Sequence, residues 1–159
     1  MMNKMYSLIL VVGLALSFSN STYGQDELNL FSFEQVDSLI QVDYKPIVVF
    51  LHTDWCKYCH SMKETVFKDP EVINFLNENY YMVSFDAESE DDVSFAGNTF
   101  HYIPNGAKNG VHELATQLGT IDGSLNFPSL CILNGNYELV FQYGGALYKE
   151  ELMTVIKSL

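Results

Sequence analysis

The sequence has no arginine: eight lysines carry all of its fixed positive charge against 20 acidic side chains, giving a formal charge of −12 at pH 7. A nucleic-acid binder needs a basic footprint to displace counterions from phosphates, and this balance has the wrong sign and lacks bidentate guanidinium donors. Nucleic acid is therefore excluded as a partner. Cysteine is scarce too, with three in 159 residues, too few for a small fold stapled by disulfides. The apolar run Leu8 to Leu16 falls well short of the roughly 18 to 20 residues that cross a bilayer. Core-forming residues are plentiful: 48% hydrophobic and 14% aromatic content rules out a disordered chain, and the length supports one domain with a core.

The first two dozen residues read as an address. Lys4 precedes the apolar run, polar Ser17 to Thr22 follow it, and Thr22 and Gly24 place small residues before a cut ahead of Gln25. This is the pattern of a secretory signal peptide over residues 1–24, leaving a domain over 25–159. A lipid anchor needs a cysteine at the cut, and the first cysteine is Cys56. Soluble export, to a bacterial periplasm, is the expected destination; Lys4 leaves with the leader, so the mature charge is −13.

Ser32 followed by Gln35 forms a capping box, and Phe33, Val36, Leu39 and Ile40 recur at helical spacing, predicting a helix over about 33–41. Ile47 to Leu51 is apolar without alternation, as in a strand buried on both faces. A helix is expected over 56–67. Asp69-Pro70 then opens another, with Val72, Ile73, Phe75 and Leu76 inward. Tyr80 to Phe85 reads as a second buried strand. From Ala87 to Gly110 the pattern breaks into an acidic knot (Glu88, Glu90, Asp91, Asp92) followed by Phe95, Phe100 and Tyr102, an irregular insert at about 88–109. Val111 to Leu118 reads as a helix stopped by Gly119, and Ser129 to Leu133 as a strand. Asn134-Gly135 signals a two-residue hairpin into Tyr137 to Tyr143, and a last helix spans about 147–158. This order of elements is that of a three-layer α/β domain.

The chemistry is expected at Trp55-Cys56-Lys57-Tyr58-Cys59, which follows the first strand and opens a helix. Cysteines at i and i+3 on a helix lie within disulfide range. Cys56 falls where unpaired N–H groups and the positive end of the helix dipole stabilise a thiolate, and Cys59 lies one turn deeper. Cys56 is thus the expected nucleophile and Cys59 the resolving thiol.

With these residues the chain resembles the thioredoxin-like family, and its stretch from Thr53 to Asp86 is similar to secreted thioredoxin-like domains and to the periplasmic C-terminal domain of transmembrane disulfide reductases. Phe127-Pro128 resembles that family's cis-proline loop, and Gly145-Ala146-Leu147 the entry to its final helix. The resemblance implies a thioredoxin fold: a central mixed β-sheet flanked by helices, here with an insert between the central strand and the helix preceding the cis-proline loop. It implies a protein disulfide oxidoreductase with no bound cofactor and no metal, whose partners are protein thiol or disulfide substrates and a membrane electron donor, with a lean to reductase or isomerase. Trp55, Lys57, Tyr58, Phe127 and Pro128 would support the site and its substrate. The family commonly buries an acid in the first strand and a lysine beside it; Phe50 and Met82 stand at the matching positions, so proton transfer for the deeper thiol is left to water or to another group such as His52 or Glu64, with His60 a further candidate for tuning the thiols.

Other readings use the same residues. Cys56 to His60 also spells the covalent haem motif C-x-x-C-H, and Cys56, Cys59 and His60 are a zinc-type set. A thioredoxin-like module that binds clients with little turnover is a third. Cys131, inside Leu130 to Leu133, reads as a buried thiol acting as a small hydrophobe. Phe95 to Asn109 is expected to form a cap beside the active site.

Overall fold

The computed structural model describes residues 27–106 and 109–159. The leader expected at residues 1–24 lies outside them. Ser32 caps helix α1 (Phe33–Leu39) through the reciprocal box that its spacing to Gln35 predicts. Strand β1 (Ile47–His52) is buried at all six positions. Helix α2 (Lys57–Glu64) starts with Cys56 as its N-cap, a residue later than the sequence suggests, and ends in a 3-10 turn over Val66–Lys68. Asp69 caps α3 (Pro70–Asn79) by accepting from the backbone N–H groups of Glu71 and Val72, with proline in the first turn. Strand β2 (Tyr81–Asp86) runs parallel to β1, while β9 (Ser129–Leu133) lies antiparallel on the other side of β1 and carries β10 (Leu139–Gly144). The mixed sheet has the order β10-β9-β1-β2. Leu30 adds a bridge at the β2 edge through Met82. Helix α5 (Lys149–Ser158) closes the chain.

Alternation in β1 divides the interior. Ile47, Val49 and Leu51 face a core built with α1 and α4 (Glu113–Gly119), whereas Val48 and Phe50 face a second core built with α2, α3 and α5. Both cysteines of the motif lie in the second core. The sheet therefore separates a thiol side from an insert side.

The insert is more ordered than its sequence suggests. It forms two hairpins, β3 (Val93–Phe95) with β4 (Asn98–Phe100) and β5 (Tyr102–Pro104) with β6 (Gly110–His112). The first turns at Ala96-Gly97, both at positive φ. Alanine pays sterically for that geometry, so composition does not advertise the turn. Val111 belongs to β6 rather than to the helix, and His112 is the helix cap. A short hairpin of β7 (Thr120–Ile121) and β8 (Ser124–Leu125) turns at Asp122-Gly123, a signal the sequence reading passed over. The Asn134-Gly135 expectation is corrected: the turn spans Gly135 to Tyr137. Asn134 Oδ1 accepts from the N–H groups of Asn136 and Glu138, and Tyr137 takes the positive φ, so the loop is longer and β10 begins at Leu139. Phe95, where the expected cap would begin, packs against Phe33 and Tyr137 on the insert side of the sheet instead of beside the thiols.

Candidate functional site

Strand β1 ends at His52, and the turn through Thr53, Asp54 and Trp55 delivers Cys56 to the start of α2. Cys56 and Cys59 are joined as a disulfide with their Cα atoms 5.2 Å apart. The Cys56 Sγ also accepts the backbone N–H of Cys59 at 3.1 Å, so the sulfur takes the place of a capping oxygen. Opening the disulfide leaves that N–H and the helix dipole aimed at the Cys56 sulfur, a setting that favours its thiolate. Cys56 is 5% exposed and Cys59 1%. Cys56 is thus the less buried of the two.

Aromatic residues lie on either side of Cys56 in the chain, and Phe127 packs against the core that holds it. Trp55 is 66% exposed and Tyr58 70%. Phe127 meets Trp55 edge to face at 6.2 Å between ring centres, which places the loop before β9 next to the thiol turn. The Phe127–Pro128 peptide bond is cis, and the Pro128 carbonyl accepts from the N–H of Gly145 at 2.8 Å. Gly145 has φ of +144°, which side chains avoid, so glycine is needed to bring this N–H to Pro128. Lys57 and His60 are exposed on α2.

The three candidates for tuning the thiols separate. Glu64 is exposed and bound to Lys68 one turn along α2. His60 faces solvent. His52 is buried on the thiol side, stacked 5.7 Å from the Phe50 ring, with Nε2 2.9 Å from Lys63 Nζ. Its Nδ1 is buried without a hydrogen-bond partner among the described residues, as is the hydroxyl of Thr53. Burial, then the Lys63 charge, lowers the His52 pKa, with Asp86 and Asp54 opposing. Phe50 and Met82 both line the thiol core, so neither of the positions that carry charge in the resembling family does so here.

Two further side chains lie against residues of the thiol turn and strand β1. Lys63 lies four residues after Cys59, a spacing that places it on the same helix face. Glu88 accepts the indole N–H of Trp55 at 3.1 and 3.2 Å through its two carboxylate oxygens. It follows β2 by two residues, and the parallel register of His52 with Asp86 brings that strand end to the thiol turn. Cys131 is buried, donates to the Leu118 carbonyl at 2.8 Å, and has its pKa raised to about 12 by burial, which makes it a poor nucleophile. Among the described residues no cluster of three or more His, Cys, Asp or Glu side chains is arranged to hold a metal, and no helix is long and apolar enough to cross a membrane.

The chain is 38% identical to spermatogenesis-associated protein 20 of Rattus norvegicus over 56 residues, 35% of this chain and 7% of that protein. It is 29% identical to the thiol:disulfide interchange protein DsbD of Campylobacter jejuni (strain RM1221) over 77 residues, 48% of this chain and 13% of that one. The matches thus span a small part of these curated relatives. The solved structure of the DsbH oxidoreductase shares the fold with a TM-score of 0.58 at 20% identity, covering 83% of each chain. The model of the thioredoxin-like domain family matches residues 33–159, and the chain belongs to that family.

Proposed function

We propose that this chain is an exported thiol–disulfide oxidoreductase that exchanges disulfides with protein clients through Cys56 and Cys59. The observation that carries the reading is the disulfide itself. It joins a nearly buried sulfur at a helix N-terminus to a fully buried one a turn deeper, inside a thioredoxin-like domain. Export is supported by the apolar leader pattern of residues 1–24.

In the reducing direction the Cys56 thiolate attacks one sulfur of a client disulfide, forming a mixed disulfide and releasing the other client sulfur as a thiolate that takes up a proton. Cys59 then gives up its proton and attacks the Cys56 sulfur, forming the Cys56–Cys59 disulfide and releasing the second client thiol. Two electrons pass to the client, and a donor dithiol, as at a membrane electron donor, restores the pair. In isomerisation the client returns its own thiolate to the mixed disulfide and no net electrons move. Trp55, Tyr58, Phe127 and the Pro128 loop form the client-facing surface. The redox group is the disulfide, so the reading needs no bound cofactor.

The test is reduction of a disulfide-bonded model protein by the reduced chain. Cys56→Ser should lower the rate by at least about a thousandfold, since the residual thiol is buried. Turnover by Cys56→Ser within tenfold of the unaltered chain would overturn the reading.

A further inference from the structure

The thiol side of the sheet is apolar except at its end. Beneath the cysteines lie Phe50, Met62, Phe67 and Met82. Beyond them come His52 on β1 and Lys63 on α2, joined at 2.9 Å. Two cations cannot share that separation, so a protonated Lys63 donates to Nε2 and His52 remains neutral, with its proton on Nδ1. Side chains on a helix lean towards its N-terminus, so Lys63, one turn past Cys59, leans back along the face that carries the thiol. Burial lowers the Lys63 pKa, and the charged groups facing the pair from elsewhere, Asp54 in the turn and Asp86 at the end of β2, oppose that shift and favour the protonated lysine.

We propose that Lys63, steered by His52, supplies the positive charge that favours the thiolate form of the reduced Cys56–Cys59 pair. The inference rests on the exchange reading above and deepens it. A charge that stabilises the thiolate stabilises the dithiol state over the disulfide, which raises the reduction potential and makes the pair a weaker reductant. That poise suits an isomerase, whose pair stays reduced and moves no net electrons, better than a strong reductase. Lys63 is a positioning residue in this account: it acts through the field it places beside the thiols. Lys57 is also near the pair but lies in solvent, where water and salt screen it.

The experiment measures two quantities on folded, reduced protein: thiolate absorbance against pH, and the disulfide equilibrium with glutathione. Lys63→Met should raise the thiol titration midpoint and shift the glutathione equilibrium about tenfold towards the disulfide, which is about 30 mV more negative. Lys63→Gln should do the same, and Lys63→Arg should stay within about threefold of the unaltered chain. Unmoved midpoint and equilibrium in a folded Lys63→Met or Lys63→Gln would overturn the proposal, as would an equal or larger shift from Lys57→Met. An unaltered chain that exchanges no disulfides would instead refute the exchange reading, so the two failures are distinguishable.

Discussion

Two buried histidines sit on opposite sides of the sheet, and their hydrogen bonds differ. His112 on the insert side is fully enclosed. Its Nδ1 accepts the N–H of Leu114 at 3.2 Å, capping α4, and its Nε2 donates to the Asp91 carbonyl at 3.1 Å, while its ring meets Phe85 edge to face. His52 on the thiol side bonds a lysine through one nitrogen and leaves the other without a partner among the described residues. An unpaired buried polar atom costs about 1–3 kcal/mol, whereas a fully paired one contributes to stability. The same residue type is therefore fully bonded on the insert side of the sheet and half bonded on the thiol side.

The largest expected effect that sharpens this contrast is on folding. His112→Ala strands the Leu114 N–H and the Asp91 carbonyl and leaves a cavity, and should lower unfolding free energy by about 2–4 kcal/mol in denaturant titration. The glutathione equilibrium of the Cys56–Cys59 pair should not change. If His112→Ala moved that equilibrium as far as Lys63→Met does, the division of labour across the sheet would be wrong.

A pH dependence should come next in size. Burial holds the pKa values of His52 and His112 below the ordinary histidine value. On acidification the unfolded chain then binds protons before the native state does. Their contribution is fully present above about pH 6.5 and is lost as pH falls through that value towards their lowered native pKa values. His101, raised chiefly by its hydrogen bond to Asp92, opposes this, but it is exposed. The lowered carboxylates Glu34, Glu64, Asp69 and Glu71 lose their contribution only below about pH 4.5. Unfolding free energy should therefore be smaller at pH 5.2 than at pH 7.5. Equal values at the two pH settings would contradict neutral, buried imidazoles.

The smallest effect concerns the contact that Glu88 makes from the insert to Trp55 of the thiol turn. Glu88→Gln should change stability by less than about 0.5 kcal/mol. The chain has a single tryptophan, so its emission reports on Trp55 alone. A shifted emission maximum with unchanged stability is expected; an unmoved spectrum would mean that Glu88 does not hold the indole in solution.

Much of this was legible in the sequence where local chemistry dominates. The Ser32–Gln35 box, Asp69-Pro70 and the uninterrupted apolar runs of β1 and β9 each depend on neighbouring residues or on burial from both faces. The Cys-x-x-Cys spacing and the cis bond before Pro128 were likewise readable, the latter only through family resemblance. The insert was not, because Ala96 adopts a positive φ against its propensity and because its strands are three residues long, held by Phe95 packing on Phe33. The positions of Lys63 and Glu88 are not legible in the sequence, because their hydrogen bonds to His52 and Trp55 span 11 and 33 positions. The sequence offers His52, His60 and Glu64 alike, and burial in the folded chain separates His52 from the other two.

The central claim is the division of labour between Cys56 and Cys59, and trapping the mixed disulfide tests it most directly. Reduced Cys59→Ser and Cys56→Ser would each be mixed with a disulfide-bonded peptide and analysed by mass after acid quenching. The account predicts a stable peptide adduct on Cys56 in Cys59→Ser, because the resolving thiol is gone, and essentially none in Cys56→Ser. An adduct forming on Cys59 as fast as on Cys56 would contradict it.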